Sequence, residues 1–369
     1  MAISNEEYAE RRDRLGALLE ERGIDALFVP PSSDLEYLTG IERDLPSFGN
    51  ISYAHGWVAG AFVAPGREPV FVLPRMVVDF HHGGVAPEGT VVVREDDDGR
   101  ALFRKAARSI DSPARMAIGA RAWAETAIAL QYALPGLELV EGSSLLNELR
   151  RVKSPAELEL MSRACVLVRE AMSATEPRVE PGVTMTELQE EVEHQLRVRG
   201  SRTPSFPTHI FTSGAEPLDN QGPAANDPLR HGDPVLFDFG AVVEGYCSDF
   251  GRTIACGEPP AEYGATHEVL LAAQEAGRAA AVPGALARDV NTACRAPIEE
   301  AGLGKAFRHR MGHGIGLDVH EPPFLSVEDE TPLEAGMTFT DEPSIILDGR
   351  FGMRVEDIIV VTDGGGELF

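Results

Sequence analysis

Apolar and polar positions along the chain fall into alternating helical and strand periods. Residues 5–22 put Leu15, Leu18 and Leu19 on one face of a first amphipathic helix. The short apolar run from Ala26 to Val29 predicts a strand, and similar runs predict strands at 58–64, 69–73, 90–93 and 116–119. Helical periods recur at 99–109 and 122–133. Strands alternating with helices imply an α/β layer domain that ends near residue 145.

The segment from Leu149 to Leu158 reads as a joint. Ser154 suits an N-cap, Pro155 the first helical turn, and Glu157 the positive helix end, so a helix is expected from here to about Thr175. Beyond it the pattern repeats faintly. Pro181-Gly182 opens a helix that closes at Gly200, and Pro283-Gly284 opens another that closes at Gly302, each pair of landmarks offset by 102 residues. Strands follow in each half, at about 206–212, 234–243 and 246–256, then 307–311, 337–347 and 353–361. Two related halves predict an α+β domain with a pseudo-twofold sheet backed by helices, and a site between the halves. We therefore divide the chain into domains 1–148 and 149–369.

Length supports that division, since 369 residues exceed one ordinary core. No apolar run approaches the roughly 18 residues of a membrane span. The polar, acidic stretch from Met1 to Glu10 lacks the basic flank and apolar core of a secretory signal. A net charge of −26 repels nucleic acid and anionic membranes, which argues against both as partners. Only Lys105, Lys153 and Lys305 are lysines, which fits either a salt-adapted host or a GC-rich genome. Cys165, Cys247, Cys256 and Cys294 show no CxxC spacing and read as reduced thiols of a cytoplasmic protein.

Acidic residues interrupt three apolar strand patterns, at Asp238, at Asp249 and at Glu356. Burying an isolated carboxylate costs several kcal/mol unless a cation or donor compensates it. One such acid could sit in a salt bridge; several that converge more plausibly share metal ions. The turn from Val243 to Tyr246 would fold 235–243 back on 246–256 and bring Asp238 beside Asp249. His309, His313 and His320 lie within twelve residues, interleaved with Gly312, Gly314 and Gly316, where glycine permits close backbone approach. Carboxylates with an imidazole suit Mn, Fe, Co or Zn, and two such ions can activate a bridging water for hydrolysis.

These motifs resemble the pita-bread metallopeptidase family, which includes methionine aminopeptidase, prolidase and Xaa-Pro aminopeptidase. The resemblance rests on FDFGA around Asp238, SDFGRT around Asp249, GHGIGLDVHE from Gly312, DEPSI around Glu342 and RVEDI around Glu356. Spacings of 11 between the two aspartates and 29 between His313 and Glu342 fit its prolidase branch. The first domain and the RRVKSPAELELM joint resemble the creatinase/prolidase subgroup. The resemblance implies that Asp238 binds one metal, that His313 and Glu342 bind the other, and that Asp249 and Glu356 bridge both. It also implies that Glu342 accepts a proton from a metal-bridging water. His309 and His320 match histidines that contact substrate, and Arg354 an arginine that orients the bridging carboxylate or the substrate. Plainer readings stay open: a strand histidine bonded to a carbonyl for His309, a structural ion pair for Arg354. Asp341 and Asp357 should face away from the site.

One departure concerns substrate. Prolidases carry a histidine shortly after a Ser-Gly turn; here the turn is Ser213-Gly214, and the expected position holds Gln221, preceded by Asn220. Glutamine can donate a hydrogen bond but cannot shuttle a proton at neutral pH. Either Gln221 or nearby His209 serves a peptidase as the donor to substrate, or the enzyme has turned to a small non-peptide metabolite, as in ectoine hydrolase, creatinase or dimethylsulfoniopropionate lyase. His209 could equally be a packing residue of its strand. The expectation is a metal-dependent hydrolase, foremost an Xaa-Pro dipeptidase or aminopeptidase, with two divalent ions per chain (Mn first, then Co, Fe or Zn). Family resemblance implies a homodimer, and residues 42–56 are a candidate mobile segment over the cleft. A non-catalytic binding module is disfavoured because such modules usually lack the metal ligands, and all five are kept here.

Overall fold

The computed structural model of the protein describes residues 2–43, 54–110, 113–212, 226–347 and 350–369. The chain separates into two units, Ile3–Arg150 and Arg151–Phe369.

In the first unit, Ser4 caps helix α1 (Asn5–Glu21) by accepting the Glu7 N–H, and Leu15, Leu18 and Leu19 are buried as their spacing predicts. Strand β1 (Ala26–Val29), helix α2 (Ser33–Thr39), strands β2 (Gly60–Val63) and β3 (Val70–Pro74), helix α3 (Arg75–His81) and strand β4 (Val91–Val93) follow. Helix α4 (Gly99–Arg108), strand β5 (Arg115–Ile118), helix α5 (Ala124–Ala133), strand β6 (Glu138–Glu141) and helix α6 (Ser143–Arg150) complete it. The sheet order is β4-β3-β2-β1-β5-β6. Phe28, Phe62, Phe103 and Trp57 pack edge to face or tilted at its centre. Sequence periodicity missed α2, α3, α6 and β6 for a physical reason. The three helices have seven, seven and eight residues, about two turns, and both ends of β6 are exposed. Most of the candidate mobile segment, 44–53, lies outside the described residues.

The second unit opens with helix α7 (Pro155–Thr175). Ser154 and Glu157 close a reciprocal capping box around Pro155, as the joint's sequence predicts. Next come helix α8 (Met185–Val198), strands β7 (His209–Thr212), β8 (Pro234–Phe239), β9 (Val242–Val243), β10 (Tyr246–Cys247) and β11 (Phe250–Ala255), then helices α9 (Tyr263–Ala280) and α10 (Ala287–Glu300). Strands β12 (Gly312–Gly314), β13 (Glu321–Leu325), β14 (Thr338–Asp341), β15 (Ser344–Leu347), β16 (Phe351–Thr362) and β17 (Gly365–Leu368) end the chain. Nine strands form one sheet with the main order β13-β12-β14-β16-β11-β8-β7; β15 and β17 also pair with β16.

The repeat has a structural basis. Helices α8 and α10 have 14 residues each. Gly182 and Gly284 precede them with φ of 96° and 86°, and Gly200 and Gly302 follow with 99° and 75°, backbone that a side chain would strain. Gly182 N–H donates to Leu229 O and Gly284 N–H to Leu333 O, so each half ties the turn before its helix to the segment ahead of its next long strand by the same bond. Read outward from the β11·β16 seam, β11-β8-β7 mirrors β16-β14-β12. The seam pairs Gly251 with Glu356.

Three details depart from the sequence pattern. The strand expected at 307–311 begins instead at Gly312: the Met311 N–H just ahead of it is shared between Leu325 O of β13 at 3.1 Å and the Asn291 side chain at 3.0 Å, and the strand ladders include none of residues 307–310. The strands expected at 234–243 and 246–256 are each interrupted, where the Ser248 hydroxyl accepts the Ala241 N–H. Between them, Glu244 and Gly245 hold φ of 46° and 83°, the two-residue primed turn that suits a hairpin. Helix α9, β13 and β17 are additions.

Gly240 stands beside this interruption, and a Cβ there would lie 1.9 Å from Ser248 O and 2.0 Å from Ser205 Oγ. Gly240→Ala is therefore expected to lower stability by at least about 1–3 kcal/mol, the cost of overpacking. The readout is a lower urea midpoint; an unchanged midpoint contradicts this packing.

Candidate metal centre

Strand alternation decides which side chains meet. Phe237 and Phe239 are fully buried in a core cluster with Val168, Leu188 and Val192 of α7 and α8. Asp238 between them must face the opposite side of the sheet. Its cross-strand partner is Gly251, and the next partner across is Glu356. A Cβ on Gly251 would come within 2.6 Å of Glu356 Oε2, so the missing side chain leaves room for the carboxylates. Asp249 leads into β11 and is buried. From the other half, His313 sits in β12 between Gly312 and Gly314, whose added Cβ atoms would meet Thr340 O at 1.8 Å and Glu321 O at 2.5 Å. Glu342 directly follows β14.

The ligand atoms of Asp249, His313 and Glu356 lie within 4.8 Å of one another. His313 Nε2 is 3.6 Å from Asp249 Oδ2 and 3.5 Å from Glu342 Oε1. Its Nδ1 lies 3.0 Å from Gly314 O, and a carbonyl can only accept, so Nδ1 carries the proton and Nε2 presents its lone pair to the acids. Arg354 projects onto the same face, two residues before Glu356. Its Nε donates to Ser344 Oγ at 2.8 Å, and its guanidinium reaches Asp238, Glu356 at 3.5 Å and Glu342 at 3.7 Å.

This charge balance is poor without a cation. Asp249 Oδ1 and Glu356 Oε2 are buried and accept no hydrogen bond among the described residues. Burial, then Asp238 and Glu342, push the Asp249 carboxyl well above its ordinary range. Burial, then Asp249 and Glu342, do the same to Glu356. Burial lifts Glu342 to about 7 despite Arg354. Burial opposes the Arg354 charge, but Asp238, Glu356 and Glu342 outweigh it and raise its pKa. The His313 imidazole is pushed down to about 3 by burial and then by His320, so it is a neutral donor. Unsatisfied buried oxygens plus one neutral nitrogen fit a divalent ion of the Mn, Fe, Co or Zn type.

Around this set lie the other candidates. The His320 ring is exposed and centred 4.1 Å from the His313 ring. His309 Nδ1 is 2.6 Å from Arg310 O, the plain carbonyl bond anticipated for it, while its Nε2 is buried with no partner among the described residues. Burial, then Arg354, push this imidazole down to about 3. His209 is the direct cross-strand partner of Asp238 and stacks with Phe206 and Phe211 at 6.1 and 5.9 Å. Gln221 lies outside the described residues. Asp357 takes both oxygens to Arg252 at 2.8 Å, away from the cluster. Asp341 is fully buried, and Arg278 and Glu275 of α9 are among the charges that act on it. Sequence reasoning missed Thr340, whose hydroxyl donates to Glu342 Oε1 at 3.2 Å and accepts the His313 N–H at 3.0 Å. It also missed Ser344. Both stand two residues from Glu342, and strand alternation could have found them.

Comparisons with known proteins agree with this geometry. Residues 159–363 match the model of metallopeptidase family M24, and residues 11–152 match the creatinase/prolidase N-terminal domain. A probable dipeptidase, PepE, of Mycobacterium tuberculosis is 30% identical, covering 98% of this chain and 93% of that one. The crystal structure of a dipeptidase from Pyrococcus horikoshii superposes with a TM-score of 0.85 at 30% identity, covering 97% of each chain. An Xaa-Pro dipeptidase from Bacillus anthracis superposes with a TM-score of 0.83 at 28% identity, covering 98% of this chain and 97% of that one. The chain is thus a hydrolase of metallopeptidase family M24, with an α/β creatinase/prolidase N-terminal domain followed by a pita-bread catalytic domain.

Proposed function

We propose that the protein is a dinuclear metal-dependent Xaa-Pro dipeptidase. The observation that carries this reading is the buried cluster of Asp249, His313 and Glu356, whose unsatisfied oxygens call for a cation. Relatives named as dipeptidases support the substrate class. Asp238 would hold one ion, His313 and Glu342 the other, and Asp249 and Glu356 both. Bound there, the ions supply an activated water and polarise the carbonyl that it attacks.

The chain's own residues do the rest. Glu342 accepts the proton: its carboxylate is buried, and Thr340 steadies Oε1. Arg354 spans Asp238, Glu342 and Glu356 and fixes three acids with one planar group. His320, beside His313, donates to substrate oxygen; partial burial and then Arg310 lower its pKa from the ordinary imidazole range. His309 gives its Nδ1 proton to a backbone carbonyl and so presents Nε2 as an acceptor. His209 contacts substrate on the Asp238 side, and Gln221 is assigned a substrate contact from its place in the sequence. Manganese leads the candidate metals. We further read the protein as a cytoplasmic homodimer. All four cysteines are free and buried, and no helix among the described residues is long and apolar enough to cross a membrane. The Asn220-Gln221 pair favours a second reading, a small non-peptide metabolite as substrate.

Assay of Xaa-Pro dipeptides and longer Xaa-Pro peptides with added Mn, Co or Fe separates the two readings. Turnover of dipeptides is expected, and none on any peptide would exclude the peptidase. Asp249→Ala is expected to cost at least about 10³-fold in kcat/KM, the several kcal/mol that a Lewis-acid centre supplies; full activity after exhaustive metal removal would refute the metal chemistry. The metal-free protein should also show a pH signature. Raised carboxyl pKa values mean that the folded state binds more protons than the unfolded chain, so stability falls as pH rises. For Glu342 the window runs from the ordinary 4.5 to about 7. Thermal unfolding with chelator should show this decline, and added Mn should abolish it; a flat profile would contradict the charge balance.

A further inference from the structure

The joint ahead of α7 carries a buried charge that neither the helix cap nor the metal centre uses. Only three of the 33 basic residues are lysines, and one of these, Lys153, is buried. Its Nζ pairs with Glu321 Oε2 at 3.2 Å, and the two side chains are only 2% and 5% exposed. The lysine is a fixed post. Its N–H donates to Gly336 O at 3.0 Å, and Ser154 beside it caps α7.

Glu321 directly follows His320 and opens β13. It is the cross-strand partner of Gly314, so the two close a hairpin loop, 315–320, that starts just past His313 and ends on His320. The Glu321 carboxylate braces that loop. Its Oε1 accepts the Asp318 N–H at 2.9 Å, while Oε2 takes the lysine. Gly316 packs against the pair: a Cβ there would lie 3.0 Å from each Glu321 oxygen and from Lys153 Cε. Cys247 of β10 holds the loop as well, its N–H donating to Gly316 O at 2.8 Å and its thiol to Leu317 O at 3.3 Å. Residues 316, 317 and 318 are each bonded in this way, and the loop delivers the His320 ring to 4.1 Å from that of His313.

A buried ion pair adds little stability over well-packed apolar side chains of similar volume. What this pair adds is a fixed geometry, and the loop that it fixes ends on His320. A group misplaced by about 1 Å can cost about 10²-fold in rate. We propose that Lys153 and Glu321 are positioning residues, which together hold the 315–320 loop so that His320 meets the substrate oxygen beside the metal centre; for that substrate contact the proposal rests on the peptidase reading above.

Lys153→Met alone would leave the buried carboxylate uncompensated. Lys153→Met/Glu321→Gln removes both charges and is the variant to test, with Glu321→Gln, which keeps the side chain's shape, as its companion. In the metal-loaded full-length protein both should hold as much metal as wild type. On an Xaa-Pro dipeptide kcat should fall about 10–100-fold, with KM changed by less than about threefold. In a His320→Ala background the same substitutions should cost less than about threefold, because their effect passes through a ring already removed. An equal loss with and without His320, or no loss in either background, would overturn the positioning role. Loss of the fold or of bound metal in both variants would make the pair purely structural and overturn it too. A second readout needs no substrate. In zinc-loaded protein the His320 ring signals in an NMR spectrum should broaden or split in the double variant, while those of His267, outside the loop, stay in place. Unchanged His320 signals would overturn the proposal. Absence of wild-type turnover on every Xaa-Pro peptide would sink the peptidase reading instead, and the spectrum would still decide whether the pair places the ring.

Discussion

Like charge, gathered on one face of a sheet and taken out of water, is the constraint on which the structure turns. Asp249, Glu342 and Glu356 are buried, and Asp238 joins them, with Arg354 as the one arginine ion-paired to them among the described residues. Two unit charges at about 4 Å interact by about 4 kcal/mol at the effective dielectric of a protein site. Several such repulsions rival the whole stability of an ordinary domain. A fold that keeps this arrangement keeps it for a cation. The surrounding sequence then makes sense as accommodation: Gly251 stands where a side chain would strike Glu356, and Gly312 and Gly314 let β12 bring His313 close.

The duplicated architecture explains how so much charge is delivered without a dedicated loop. Each half brings its own acids on strands that extend outward from the β11·β16 seam, Asp238 and Asp249 from the first, Glu342 and Glu356 from the second. His313 comes from the second half alone. Neither half holds a complete set, so the site exists only where they join. Outside the acids, His309 and His320 from the second half and His209 from the first lie around the centre and differ in chemistry.

Much of this was legible in the sequence because it follows from period and chemistry. Acids that interrupt apolar strands, glycines around a histidine, and Pro-Gly landmarks 102 residues apart each have one physical reading, and the capping box at Ser154 has another. What stayed hidden lacks a local signature. The strand expected at 307–311 failed because its apolar run meets no strand to pair with ahead of Gly312, a matter of tertiary placement invisible to periodicity. Helices of seven residues are too short to reveal a 3.6-residue repeat. Asn220 and Gln221, the sequence's main departure from the prolidase pattern, fall outside the described residues, so their weight remains that of chemistry alone.

The central claim is that the buried acids are a metal site and not an ion-pair network. Metal content measures this directly. Protein stripped with chelator, dialysed against Mn and analysed for bound metal should hold close to two ions per chain, and Asp249→Asn should hold far fewer while remaining folded. A wild type that takes up no divalent ion, or an Asp249→Asn variant that takes up as much as wild type, would contradict the account.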